Sequence, residues 1–295
     1  MKKWICLLLF LVVWLVLGFS VFEQGDAVLP NAVDVSVSER IISTAPNLTE
    51  ILFSLGLGER IVGVTTDSKF PAKAADKIKI GSFWQMNIET IIAAKPDLVI
   101  TLDFPQQRDI AGRLGRMGYR TLTVNIENVE DFFAAVKKIG AATGATREAE
   151  ELCGELRGKL GGFLERIGDK EKVSVLWVVQ REPLRVAGLD TFVNELIELA
   201  GGVNAIGKTA HQYPPIGAEQ VIARKPDVII EPAMGWGDMA KQRAAAMEYW
   251  KRFSNVPAVV NDRIYVIKGD TVSQLAPRIY EGVESIGRCL HPELF

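Results

Sequence analysis

Histidine and cysteine are scarce in this chain, whose 295 residues hold two histidines, His211 and His291, and three cysteines. A cage of histidines around a catalytic metal needs more than two. An enzyme built on a nitrogenase-like metal cluster needs several cysteine ligands at one cleft. There is no surplus of positive charge either. Lys and Arg number 34 against 36 Asp and Glu, which counts against a nucleic-acid backbone as partner. Neither G-x-S-x-G nor H-E-x-x-H occurs, so the common hydrolase and zinc-protease signatures are missing. Gly202–Thr209 does fit the phosphate-loop pattern G-x-x-x-x-G-K-[ST]. That loop works only with a strand before it and a helix directly after it. Here a helical pattern (Phe192, Leu196, Leu199) precedes it and the run His211-Gln212-Tyr213-Pro214-Pro215 follows. Gly201 and Gly202 are better read as a helix stop.

One long hydrophobic run is present. Trp4 to Phe22 follows Lys2-Lys3, and Gly25-Asp26-Ala27 offers small residues for a cleavage after Ala27. Residues 1–27 therefore read as a signal peptide, or as an uncleaved N-terminal anchor, since the run over residues 4–22 is about long enough to span a bilayer. Either reading places the remainder outside the cytoplasmic membrane, in the periplasm or on the membrane's outer face. Cys6 precedes most of the run, whereas a lipid-bearing cysteine would follow it. Cys153 and Cys289 remain, to pair in an oxidising compartment or to stay buried as free thiols. His291, in the C-terminal tail, is expected to be solvated.

Val/Ile-rich runs alternate with amphipathic stretches from end to end. Strands are expected at Arg40–Ser43, Arg60–Thr65, Asp97–Thr101, Arg120–Val124, Val173–Val179, Asp227–Glu231 and Arg263–Ile267, with helices between them. That alternation specifies an α/β fold with mostly parallel sheets. Residues 89–100 read ETIIAAKPDLVI and residues 219–230 read EQVIARKPDVII. Each copy is a short helix, a Lys-Pro-Asp turn and a buried strand. Two copies half a chain apart predict two similar Rossmann-like lobes, over residues 39–143 and 171–295. Between them, residues 145–168 predict one bridging helix about 36 Å long. Its apolar stripe is Leu152, Leu156, Leu160, Leu164 and Ile167, and Gly168 ends it. Gly154, Gly158, Gly161 and Gly162 each weaken it by about 1 kcal/mol against alanine.

The aromatic residues suggest a binding cleft. Phe83 and Trp84 precede the first repeat helix, and Tyr213 takes the equivalent place before the second. Trp236 follows the strand ending at Glu231, and Asp103-Phe104 occupies the matching loop of the first lobe. Loops at the carboxyl ends of parallel strands are where open α/β sheets hold ligands. Rigid aromatics facing each other across two lobes suit a large ligand, although each could instead cap its own core. Glu89 and Glu219 begin their helices, where a carboxylate is favoured by the helix dipole by about 0.3–1 kcal/mol. The alternative is that both carboxylates face one way and dock on a basic partner.

These features resemble the substrate-binding proteins of ABC importers for cobalamin, siderophores and haem. The matching stretches are Arg40-Ile41-Ile42-Ser43-Thr44-Ala45-Pro46-Asn47-Leu48-Thr49-Glu50, Gly81-Ser82-Phe83-Trp84-Gln85-Met86-Asn87-Ile88-Glu89, Ala187 to Glu195, and Gly269-Asp270 through Pro277-Arg278. Together they cover about residues 39–292 in order. The resemblance implies two α/β lobes bridged by one long helix, with a large metal chelate held between them. It implies no catalysis, no resident cofactor, a monomer, and an ABC permease dimer as partner. Glu89 and Glu219 would pair with permease arginines. The stretch around Trp84 is most similar to vitamin B12 binders, so Trp84 takes the ligand-stacking role and Tyr213 adds a second aromatic. Asp67 stands where a tyrosine is expected against the corrin. Pro46, Asn47, Asp67 and Arg185 would supply polar contacts, and Phe83, Phe104 and Trp236 apolar ones. A ferric siderophore would use Arg185 or Arg278 instead, and haem would use Tyr213 or His211. An anchored receptor that keeps its N-terminal helix is the remaining alternative.

Overall fold

The computed structural model describes residues 38–233, 235 and 237–295. The expected leader over residues 1–27, Cys6 within it, and Trp236 lie outside those residues.

The first lobe is a five-stranded sheet in which every pair is parallel: β1 (Ile41–Ser43), β2 (Ile61–Val64), β3 (Ile78–Lys79), β4 (Leu98–Leu102) and β5 (Thr121–Val124). Their order is β3-β2-β1-β4-β5. The apolar runs are continuous because the sheet is covered on both sides. Neighbouring residues then face opposite layers. Ile41, Leu98 and Ile100 point into a central core, whereas Ile42 and Val99 point into an outer one. Helices α1 (Pro46–Ser54) and α4 (Val129–Thr143) cover the inner face, and α2 (Ile88–Ala93) and α3 (Pro105–Arg116) belong to the outer face.

The second lobe repeats the plan. Strands β6 (Val173–Arg181), β8 (Gly202–Asn204), β9 (Val228–Pro232) and β10 (Ile264–Ile267) pair in parallel, and the short β7 (Leu184–Val186) returns antiparallel along the far half of β6. Val175, Trp177, Val228 and Ile230 point inward toward α6 (Phe192–Leu199) and α10 (Ile279–Leu290). Leu176, Val178 and Ile229 point outward toward α7 (Ala218–Arg224), α8 (Met239–Trp250) and α9 (Pro257–Val260).

The bridge is one 22-residue helix, α5 (Thr146–Ile167), closed by Gly168 at φ +56°. Its buried face differs from the expected leucine stripe. Ala149, Cys153, Leu156, Leu160, Phe163 and Ile167 are buried, Leu152 is half-buried and Leu164 is exposed. Phe163 presses against the backbone of α10 at Gly287, where a side chain would collide with its ring. The inner helices of both lobes and α5 thus form one central layer with a continuous apolar core.

Both repeats close alike. Lys95 and Lys225 each adopt a left-handed φ of 47°, ending α2 and α7. The aspartate two residues on then clamps a neighbouring strand entry. Asp97 Oδ2 accepts the N–H groups of Glu39 and Arg40 at 2.8 and 3.0 Å. Asp227 Oδ2 accepts that of Ser174 at 3.0 Å.

One expectation fails in the C-terminal region. His291 is buried, not solvated, with its Nε2 3.3 Å from the carbonyl of Gly201. Arg278, which could serve a siderophore or simply open the last helix, stands directly before α10, and its guanidinium reaches across the lobes. Its Nε and Nη2 donate to Glu50 of α1 at 2.9 Å each, its Nη1 donates to Asp270 at 3.0 Å, and its flat face lies 3.9 Å from the Phe70 ring centre. Gln274 Nε2 donates to the same Glu50 at 3.0 Å. A second polar tie between the lobes runs from the Val129 N–H to Glu195 Oε2 at 2.7 Å. Cys153 and Cys289 are free and buried.

Candidate functional site

Parallel strands bring their carboxyl ends to one edge of each sheet. In the first lobe that edge carries Thr44–Asn47 after β1, Thr65–Phe70 after β2, Ile80–Trp84 after β3 and Asp103–Phe104 after β4. In the second lobe it carries the loops after β9 and β10. The Glu50–Arg278 contact joins the helix leaving β1 to the segment leaving β10, so the two edges converge.

On the first lobe, a tight turn projects the aromatic pair. Ser82 N–H donates to the Gln85 carbonyl, and Gln85 N–H donates to Ser82 Oγ, both at 3.0 Å. Gly81 opens the turn at φ +103°, and an added side chain there would strike the Gln85 carbonyl oxygen. Asp67 Oδ2 accepts the Phe83 N–H at 2.6 Å and ties the turn to the loop after β2. Phe83 and Trp84 meet edge-on with centroids 4.9 Å apart. Phe104 stacks on Phe83 at 5.2 Å and meets Trp84 at 6.0 Å. Three rings from two loops make one apolar platform. Phe83 is packed against the central core beneath, and Trp84 keeps 67% of its surface exposed. An indole left that open at a sheet's carboxyl edge is poor core material and good ligand surface.

The other expected residues are less uniform. Pro46 opens α1 and is half-buried. The Asn47 side chain is buried, and its Oδ1 accepts the Leu48 N–H at 2.9 Å. Asp103 holds Arg108 at 2.8 Å. On the second lobe, Tyr213 is half-buried against the central core, and burial pushes its phenol above the ordinary tyrosine value. Arg185 is exposed and donates from Nη1 to the Tyr213 carbonyl at 3.3 Å, where residues 213–215 run beside β7. His211 is exposed.

Glu89 and Glu219 lie in the first turns of α2 and α7, one on each lobe, and both are exposed. Among the described residues neither carboxylate joins an ion pair. The phosphate-loop pattern has no phosphate-loop context. Gly202–Asn204 is strand β8, and no helix begins before Ala218.

Two charged clusters escaped the sequence reading. One is the Glu50–Arg278 contact. In the other, buried Glu231 at the end of β9 accepts Trp250 Nε1 at 2.6 Å and Arg181 Nε at 3.0 Å. A glutamate closing an apolar strand was the available signal for it. A separate surface cavity of about 400 Å³ lies between Val129, Leu164, Glu195 and Leu199. It contains none of the expected ligand residues. Among the described residues no helix is long and apolar enough to cross a membrane.

The chain matches the periplasmic binding protein family over residues 41–271. An uncharacterised ABC transporter substrate-binding lipoprotein of Bacillus subtilis is 30% identical over 272 residues, spanning 89% of this chain and 84% of the relative. A vitamin B12-binding protein of Vibrio campbellii is 25% identical over 258 residues, spanning 87% and 90%. Among solved structures, a possible iron-binding periplasmic solute-binding protein of Staphylococcus epidermidis superposes with a TM-score of 0.75 at 30% identity, covering 86% of this chain and 98% of that one.

Proposed function

The chain belongs to the periplasmic binding protein family, and we propose that it captures cobalamin or a related corrinoid between its lobes. It is a substrate-binding protein of an ABC importer and not an enzyme. The observation that carries the ligand reading is the platform of Phe83, Trp84 and Phe104, with the Trp84 indole open to solvent. A broad, partly apolar ring system suits such a surface, and a small polar solute does not. The vitamin B12-binding relatives support this choice. Pro46, Asn47 and Asp67 line the first lobe's edge in this reading, and Arg185, Tyr213 and Trp236 serve the second. Asp67 acts through the turn it holds.

Outside the cytoplasmic membrane, cleaved or held by residues 4–22, the loaded protein docks through Glu89 and Glu219 on basic residues of the permease. Charge attraction across such a contact chiefly speeds encounter. The ligand is tested by calorimetric titration of the exported protein with cyanocobalamin, cobinamide, haemin and a ferric hydroxamate. Tight binding of the first two alone is expected. Binding of only haemin or the iron chelate would replace the corrinoid with that ligand, the reading the Staphylococcus epidermidis relative favours.

A further inference from the structure

Two stretches that the binding reading leaves unused lie at opposite ends of the chain: the Glu50 end of the first family stretch and the Arg278 end of the last. They meet, 228 positions apart, in the most completely satisfied charged contact between the lobes. Glu50 is 2% exposed, and the Arg278 side chain is 13% exposed. The arginine presents its fork to the Glu50 carboxylate, a planar arrangement that a lysine could not reproduce. Its Nη1 donates to Asp270, and its face is covered by Phe70. Three of these groups belong to pieces that would bound a ligand. Glu50 lies one turn into the helix that Pro46 and Asn47 open, Phe70 ends the loop that begins beyond β2, and Asp270 follows β10. Hydrogen bonds to Glu50, opposed by burial and aided by Asp270, raise the Arg278 pKa beyond its already high ordinary value, so the arginine stays charged.

We propose that Glu50 and Arg278 form the clasp that sets the lobe separation, and that ligand release requires this clasp to part. The inference rests on the capture-and-release reading above. Separating the lobes strips a buried carboxylate of three donors at once, and an unpaired buried charge is strongly disfavoured. The alternative tie, Val129 N–H to Glu195, is a single hydrogen bond. The clasp is therefore the polar element with most leverage over opening, while the apolar central layer acts as the pivot. Glu50 and Arg278 are positioning residues: they hold the two halves of the site and need not touch the ligand.

The test reads lobe separation directly and needs no ligand. Spin labels at Arg113→Cys on α3 and Lys251→Cys beyond α8 report the distance between the lobes, in the protein lacking residues 1–27, whose native Cys153 and Cys289 are buried. A single narrow distance distribution is expected for the parent protein. Glu50→Gln and Arg278→Gln are expected to broaden it toward longer distances. Unchanged distributions in both would overturn the proposal. With cyanocobalamin and haemin as probes, dissociation from Glu50→Gln should be about tenfold faster, with association altered by no more than about twofold. If neither probe binds the parent, the ligand reading fails and the distances alone decide the clasp. Should Glu50→Gln not fold, Gln274→Ala keeps the ion pair and removes one cross-lobe bond. It should broaden the distribution less, and no broadening would equally overturn the clasp.

Discussion

Lys95 and Lys225 stand in corresponding places of the repeat and share one backbone conformation, a left-handed φ of 47° at the end of a short helix. That region costs a residue with a side chain roughly 1–2 kcal/mol, and glycine little. Lys95→Gly and Lys225→Gly should each stabilise the protein by up to about 1 kcal/mol, since glycine's freedom in the unfolded chain returns part of the gain. Urea denaturation midpoints check this, and equal shifts at both sites would show that the lobes carry the same local strain.

Glycines on the paired helices α4 and α5 should respond with opposite signs. A side chain at Gly154 or Gly158 of α5 meets nothing within 4 Å. Alanine at either should stabilise by about 1 kcal/mol. At Gly140 of α4, an added Cβ would sit 2.5 Å from the Ala149 Cβ and 2.8 Å from the Ala145 carbonyl oxygen. Gly140→Ala should cost about 1–3 kcal/mol. Thermal melts of the three variants suffice.

For the aromatic platform, Trp84→Ala should weaken corrinoid binding by about 1 kcal/mol or more, with a small loss of stability from its edge contacts to Phe83 and Phe104. Asp67→Ala frees the Phe83 N–H and should weaken binding less, through the turn. Calorimetry measures both, and unchanged affinity for Trp84→Ala would remove the indole from the site.

Charge reversal at both docking positions, Glu89→Lys with Glu219→Lys, should abolish uptake in cells and leave ligand affinity as it was. Neither carboxylate joins an ion pair among the described residues, so the fold should lose only the helix-dipole contribution, about 1 kcal/mol at each site. Normal uptake by the double variant would sink the docking role.

Burial pushes the Cys289 thiol up to about 12 from an ordinary value of 9.0. The folded protein then keeps a proton that the unfolded chain loses. Its contribution to stability is complete below pH 9.0 and drains away as pH rises toward about 12. Cys289→Ala should flatten the alkaline fall in stability by up to one proton's worth, read from denaturation midpoints at successive pH values.

The seven strands expected from apolar runs are all present, because each is covered on both faces and must read as a continuous run. The three that escaped are two or three residues long. Of these, β3 is the two residues Ile78 and Lys79, β7 is a hairpin return, and β8 begins with a glycine. The bridging helix was legible, and its buried face was not. A strict spacing of four advances about 40° beyond a full turn at each step. From Leu152 to Leu164 that drift carries a leucine round to solvent, while Cys153 and Phe163 take the inner face. The aromatic platform was legible in part. Trp84 has its counterpart in Tyr213 and Phe104 in Trp236, one in each lobe, and nothing in the sequence shows that the Trp84 and Phe104 rings touch. The Glu50–Arg278 contact was beyond sequence reading, since only the folded chain brings those ends together. His291 misled for the same reason: a polar residue near a terminus is buried because Gly201, with its left-handed φ of +82°, offers it a carbonyl.

The central layer also fixes what this chain can survive. Its apolar core draws on helices from both halves of the duplication and on the bridge, so the helices on each sheet's inner face share one core with those of the other lobe. Severing the backbone between Thr143 and Thr146 would leave two fragments with bare greasy flanks, each the other's missing half. Neither would be a protein in its own right. Mixed together, they would have every reason to reassemble.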